Sequence, residues 1–110
     1  MEKQTRHTVE ETLSSVQQLG AFIAIARKRR GWRQSLLATK AGVHENTLRK
    51  VEAGELGTSI GAYAAALWAL GLIEQLNEVA RPERDAVGEL LSQVQLGTRT
   101  RSTGLVDDDF

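Results

Sequence analysis

Four glycines, at positions 31, 42, 54 and 71, cut the middle of this 110-residue sequence into short runs. Each run carries apolar residues three or four positions apart, the period of a helix with one buried face. Helices this short are not stable alone and must bury that face against one another. Proline occurs once, at Pro82, and no stretch alternates with the period of a strand. The chain is therefore expected to be all-α, a bundle of five to six short helices.

Along the chain, Thr8 and Glu11 make a capping-box pattern, and Val9, Leu13, Val16 and Ile23 continue an apolar spacing if Gly20 is tolerated. Leu19, Phe22, Ile23 and Ala26 form the stripe of a helix over about 15–30 that ends in "RKRRG", with residues 1–14 as a partly helical arm. Helices over 34–41, with Leu37, Ala38 and Ala41 inward, and 45–53, with Leu48 and Val51 inward, flank Gly42. Ser59 is a good N-cap for "IGAYAAALWALG", in which Ile60, Tyr63, Ala64, Leu67 and Leu70 share a face. Leu72, Leu76 and Val79 mark a fifth helix halted before Pro82 and close a 15–80 domain. A helical extension through Val87, Leu90, Leu91 and Val94 occupies 81–96, weakened by Gly88, and from Gly97 a flexible polar tail runs to "LVDDDF".

With no cysteine there is no disulfide framework, thiolate zinc site or cysteine nucleophile. No apolar run is long enough to cross a bilayer, and the N-terminus lacks a signal-peptide pattern, so a cytoplasmic protein is expected. No Gly-rich phosphate loop, metal-spaced His–carboxylate cluster or nucleophile–base pair accompanies His7, His44, Ser14 or Ser15. Neither an enzyme nor a cofactor or metal protein is expected. Net charge is zero, but its distribution is uneven: residues 27–50 hold eight Lys/Arg against Glu45 alone, a balance of +7 offset by −7 elsewhere. A basic segment of this kind suits a polyanion.

The stretch "ATKAGVHENTLRKVEAG", residues 38–54, concentrates the chemistry. Ala38 is small where two helices must cross, and Gly42 can take a positive φ in the turn between them. Val43, Leu48 and Val51 anchor the second helix, which forces Glu45, Asn46, Arg49 and Lys50 outward together. Arginine can bond guanine bidentately, asparagine can bond adenine, and glutamate can accept from cytosine. A second role is open to Glu45: at i,i+4 from Arg49 it can pair with that arginine and only orient it.

Residues 19–72 resemble the phage-repressor or Xre-like helix-turn-helix family in "LGAFIAIARKRRGW", "RQSLLATKAGV", "NTLRKVEAGE" and "GTSIGAYAAALWALGL". The joint spacing of Gln34, Ala38, Gly42, Val43, Leu48, Val51, Glu52 and Gly54 carries the likeness. It implies that the helix after the turn lies in the major groove of double-stranded DNA. Glu45, Asn46 and Arg49, with Lys50 beside them, would then read base edges. Gln34 would contact a phosphate and brace the reading helix, Thr47 and Ser59 would bond phosphates or cap helices, and Glu52 would pair with Arg27 or Arg30. The sequence departs from the family at two caps, where Arg33 and His44 replace the usual hydroxyl residues; each is a candidate phosphate contact instead. Trp32 and Trp68 are expected to pack rather than stack on bases.

Beyond the core, "LGLIEQLNEVARPERDAVGELL" resembles the corresponding segment of HipB-type antitoxins, and "TRTRSTGLVDDDF" has a similar arginine-bearing linker and acidic, aromatic end. That resemblance implies a homodimer that represses its own operon and binds a HipA-like kinase toxin. The tail residues Leu105, Val106, Asp107, Asp108, Asp109 and Phe110 are the candidate toxin contact, because apolar anchors joined to negative charge suit a basic groove. A stand-alone Xre-like regulator is the alternative. A helical protein-binding module that never touches DNA is the third reading. One helix with four or five readers gives limited specificity, so a dimer on a palindromic operator is expected, with Leu72, Leu76 and Val79 as its surface unless they complete the monomer core.

Overall fold

The computed structural model describes residues 2–102, with side chains from 9 to 97. Its helices are α1 (Glu2–Arg29), α2 (Gln34–Ala41), α3 (Glu45–Ala53), α4 (Ile60–Leu70) and α5 (Ala86–Ser102), with 3₁₀ segments at Ile73–Glu78 and Pro82–Arg84. There is no strand among the described residues. The fold is the expected all-α bundle of helix-turn-helix type.

The first four helices end alike. Gly31, Gly42, Gly54 and Gly71 all have φ between 70° and 79°. The residue after each glycine donates its N–H back into the last turn: Val43 to Ala38, Glu55 to Lys50, Leu72 to Leu67 and Trp32 to Arg27. This bond satisfies carbonyls that a helix end otherwise leaves open, and its left-handed residue is one that only glycine adopts without strain. The glycines thus set the lengths of the helices and turn the chain sharply between them.

The described residues up to Leu76 form one compact unit and those from Asn77 onward another. In the first, Ile23 and Ala26 of α1, Leu37 and Ala38 of α2, Leu48 and Val51 of α3, and Ala62, Tyr63, Ala66, Leu67 and Leu70 of α4 make the core. Ile23, Leu37, Leu48 and Val51 are completely enclosed, each burial contributing about 1.5–3 kcal/mol. Val43 and Trp32 are half-buried against this core. In the second unit, Asp85 caps α5: its Oδ1 accepts from the Gly88 N–H at 3.0 Å and its carbonyl from the Glu89 N–H at 2.9 Å.

Several expectations are corrected. The first helix does not begin near residue 15; it runs unbroken from Glu2 to Arg29 through Gly20. The stripe on α1 is narrower than its period suggests, since Val9, Leu13 and Phe22 are exposed while Ile23 and Ala26 are buried. On α4 the buried face is Ala62, Tyr63, Ala66, Leu67 and Leu70, leaving Ile60 at 68% exposure and Trp68 at 63%. Trp68, expected to pack, is therefore largely open to solvent. The segment marked by Leu72, Leu76 and Val79 is a 3₁₀ stretch rather than an α-helix. Leu72 is half-buried against the monomer core, Leu76 is half-buried and Val79 exposed. The α-helix of the extension expected over 81–96 starts at Ala86 and continues to Ser102, into the expected tail. The candidate partner-binding residues Leu105–Phe110 lie outside the described residues, as does the side chain of His7.

Candidate nucleic-acid interface

Helix α3 is held from behind and from its end. Behind, Leu48 and Val51 are fully buried, so residues 46, 49 and 50 are turned out: Asn46, Arg49 and Lys50 are exposed, and Glu45 and Thr47 are half-exposed. Among the described residues Asn46 and Lys50 make no side-chain hydrogen bond or ion pair, which leaves their donors and acceptor to solvent. Glu45 Oε2 accepts from Arg49 Nη2 at 3.1 Å, the i,i+4 pairing that orients the guanidinium. Both members are about half-exposed, so the pair contributes at most a few tenths of a kcal/mol and is free to open onto another partner.

At its C-terminal end α3 meets α1 backbone to backbone. A Cβ placed on Gly20 would stand 2.8 Å from the Glu52 carbonyl and from the Gly54 amide, and one on Gly54 would stand 2.8 Å from the Gln17 amide and the Val16 carbonyl. Both glycines are therefore obligatory for the crossing. The same end is fastened by charge. Arg27, 9% exposed, donates from Nε to Glu52 Oε2 at 2.6 Å and from Nη2 to Glu52 Oε1 at 3.0 Å, while its Nη1 bonds the Trp32 carbonyl at 2.8 Å. Gln34 Nε2 adds a third bond to Glu52 Oε1 at 2.9 Å. One carboxylate on α3 thus gathers α1 and the first residue of α2, while its partner Arg27 holds the loop before α2. Of the two bases expected to serve, Arg27 takes the role; Arg30 instead donates to the carbonyls of Ala26 and Leu70.

Placement of the other site residues follows from their caps. Arg33 and His44 stand at the N-caps of α2 and α3 in extended backbone, exposed, and neither side chain caps its helix. Ser59 does cap α4, its Oγ accepting from the Ala62 N–H at 3.1 Å. Lys40 lies 4.8 Å over the Trp32 ring, a cation–π contact that the helical period does not reveal. Gly20 was legible only indirectly: glycine inside a helix costs about 1 kcal/mol, which requires a packing reason. The Arg27–Glu52 pair also refines the charge count. Removing it leaves seven bases and Glu45 over 27–50, and all seven bases are exposed.

No described helix is long and apolar enough to cross a membrane. No curated protein and no solved structure matches the chain. A helix-turn-helix domain family model matches residues 18–81, from the middle of α1 past the 3₁₀ segment. That span contains α2, the Gly42 turn, α3, Gly20 and the Arg27–Glu52–Gln34 cluster; Val16 and Gln17, which meet Gly54, lie just before it. The chain belongs to the helix-turn-helix domain family, whose members are DNA-binding regulators of transcription.

Proposed function

We propose that this chain is a sequence-specific transcriptional repressor that acts as a homodimer on a palindromic operator, with α3 in the major groove. The supporting observation is the row Asn46, Arg49 and Lys50, exposed on a helix whose opposite side is completely buried. Arg49 bonds guanine, Asn46 bonds adenine, and Lys50 adds a base or phosphate contact. Glu45 holds Arg49 in the free protein and yields it, or accepts from cytosine, in the complex; the 3.1 Å pairing favours the orienting role. Gln34, Arg33, His44, Thr47 and Ser59, each at or near the start of a helix, are proposed phosphate contacts, with Gln34 also bracing α3 through Glu52. Leu72, Leu76 and Val79 are the proposed dimer residues; of these Leu72 also packs on the core of the first unit, and Val79, in the second, is exposed.

The direct test is anisotropy on an operator-bearing duplex across a salt series. Lys50→Ala and Gln34→Ala, where they neutralise or bond phosphate, weaken binding evenly across sequences, and loss of Lys50 lowers the salt slope by about 1. Slopes and affinities identical to wild type would remove the phosphate assignments. Glu45→Ala separates its two roles: a changed base preference at one operator position means direct reading, and an unchanged preference means orientation only.

The finer proposal is an antitoxin that represses its own operon and binds a HipA-like kinase toxin through Leu105, Val106, Asp107, Asp108, Asp109 and Phe110. It rests on the resemblance of 70–91 and of the acidic, aromatic end to HipB-type antitoxins. Deleting 97–110 should spare operator binding and weaken toxin binding. A neighbouring reading frame without a kinase fold would favour the stand-alone regulator.

A further inference from the structure

One surface of the first unit takes no part in the proposed DNA contact. A groove of about 460 Å³ runs between α1 and the segment after α4, lined by Phe22, Ile25, Ala26, Arg29, Arg30, Leu72 and Gln75. Its floor is apolar, and two of the floor residues are unusually open for their type: Phe22 is 57% exposed and Ile25 45%. Arg29 and Arg30 make the lining cationic, and no acid is part of it. Arg30 is fixed there by its bonds to the Ala26 and Leu70 carbonyls, at 2.8 and 2.9 Å. Arg29, with exposed Lys28 next to it, has no hydrogen bond or ion pair among the described residues.

This combination restricts the occupant. A second copy meeting the groove by two-fold symmetry would bring the patch against itself and so gather four arginines in one interface with no lining acid to pair them. Like charges so placed disfavour that interface. A phosphate backbone would satisfy the arginines and leave Phe22 and Ile25 in water. We infer that the groove is a docking site for an acidic peptide segment of a partner protein, with apolar anchors that seat on Phe22, Ile25 and Leu72 and carboxylates that reach Arg29 and Arg30. None of the candidate base or phosphate contacts lines it, so the partner and DNA can be held at once, as a regulator that passes on its occupancy requires.

The test uses the full chain and a fluorescein-labelled twelve-residue peptide of leucine, phenylalanine and aspartate, read by anisotropy at low salt. Two control peptides replace every aspartate by asparagine or every apolar residue by serine. The expected result is saturable binding, weakened at least about fivefold by either control and by Phe22→Ala or Arg29→Glu, an energy of about 1 kcal/mol. Amide shifts should gather at residues 22–30 and 72–75. Circular dichroism should show both variants folded; the second, at an exposed and unbonded side chain, guards against a misfolded first. Duplex binding by Arg29→Glu should stay within about twofold of wild type. Peptide binding indifferent to both substitutions, or shifts elsewhere, overturns the inference. So does loss of duplex binding by Arg29→Glu with peptide binding intact, which would make the patch a phosphate contact. A failure of the DNA reading itself would leave the peptide result unchanged, so the two proposals fail separately.

Discussion

Glu52 accepts from Arg27 twice and from Gln34 once, with its side chain 7% exposed. Removing one member of such a buried pair strands the other, which costs about 3–5 kcal/mol. Glu52→Ala should lower stability by roughly 3 kcal/mol in urea unfolding; a loss within about 0.5 kcal/mol would show that water replaces the carboxylate. Tyr63 provides a pH test. Its hydroxyl donates to the Glu55 carbonyl at 2.9 Å, and burial, with the Glu55 charge adding to it, raises its pKa above 10.0. A raised folded-state pKa contributes stability that is whole below the unfolded value and is lost as pH climbs through the folded one. Stability should therefore fall above pH 10.0. Tyr63→Phe, at a cost of about 1 kcal/mol near neutrality, should flatten that alkaline fall. An equally steep fall in the variant would locate the titration elsewhere. Residue identities of this kind were partly legible beforehand: the acid at 52 asked for a base from α1, but choosing Arg27 over Arg30 needed the three-dimensional path of α1.

At the scale of elements, what lies close along the chain was readable and what depends on a distant neighbour was not. The ends of α2, α3 and α4 fall where Gly42, Gly54, Ser59 and Gly71 put them, because a cap and a left-handed glycine act within one turn. Leu48 and Val51 are buried and Asn46, Arg49 and Lys50 exposed for the same reason, since a nine-residue helix has only one apolar side. The period gave the direction of each stripe but not its width. Phe22, Ile60 and Trp68 lie at stripe edges or beyond the reach of a neighbouring helix, so they remain exposed. Gly88 looked like a weakness, yet its N–H is a capping partner of Asp85 in the first turn of α5. The Gly20–Gly54 crossing is the feature least visible in sequence, and it gives an element-scale prediction. Gly20→Ala pushes a methyl into the backbone at the end of α3, and overpacking against atoms that cannot rotate away should cost about 2–4 kcal/mol. Duplex affinity should fall further than the folded fraction alone explains, because α3 tilts. Affinity that tracks folded fraction alone would mean that the crossing supports stability but not aim.

For the whole molecule, one α3 with few readers gains specificity by repetition. A symmetric pair requires an inverted repeat whose half-sites lie about 34–36 Å apart, or a multiple of that. In the proposed complex the exposed bases of α2, α3 and the N-cap of α2 (Arg33, Lys40, Arg49 and Lys50) would supply the sequence-independent attraction, and the reading row the choice. Selection of duplexes from a randomised library, run in parallel with wild type and Arg49→Ala at one fixed low salt, tests this most directly. The expected result is an inverted repeat enriched by wild type, with Arg49→Ala still binding but losing preference at one base pair in each half-site. Enrichment of no duplex by wild type, or the same preferences from both proteins, would contradict the reading of DNA by the exposed face of α3.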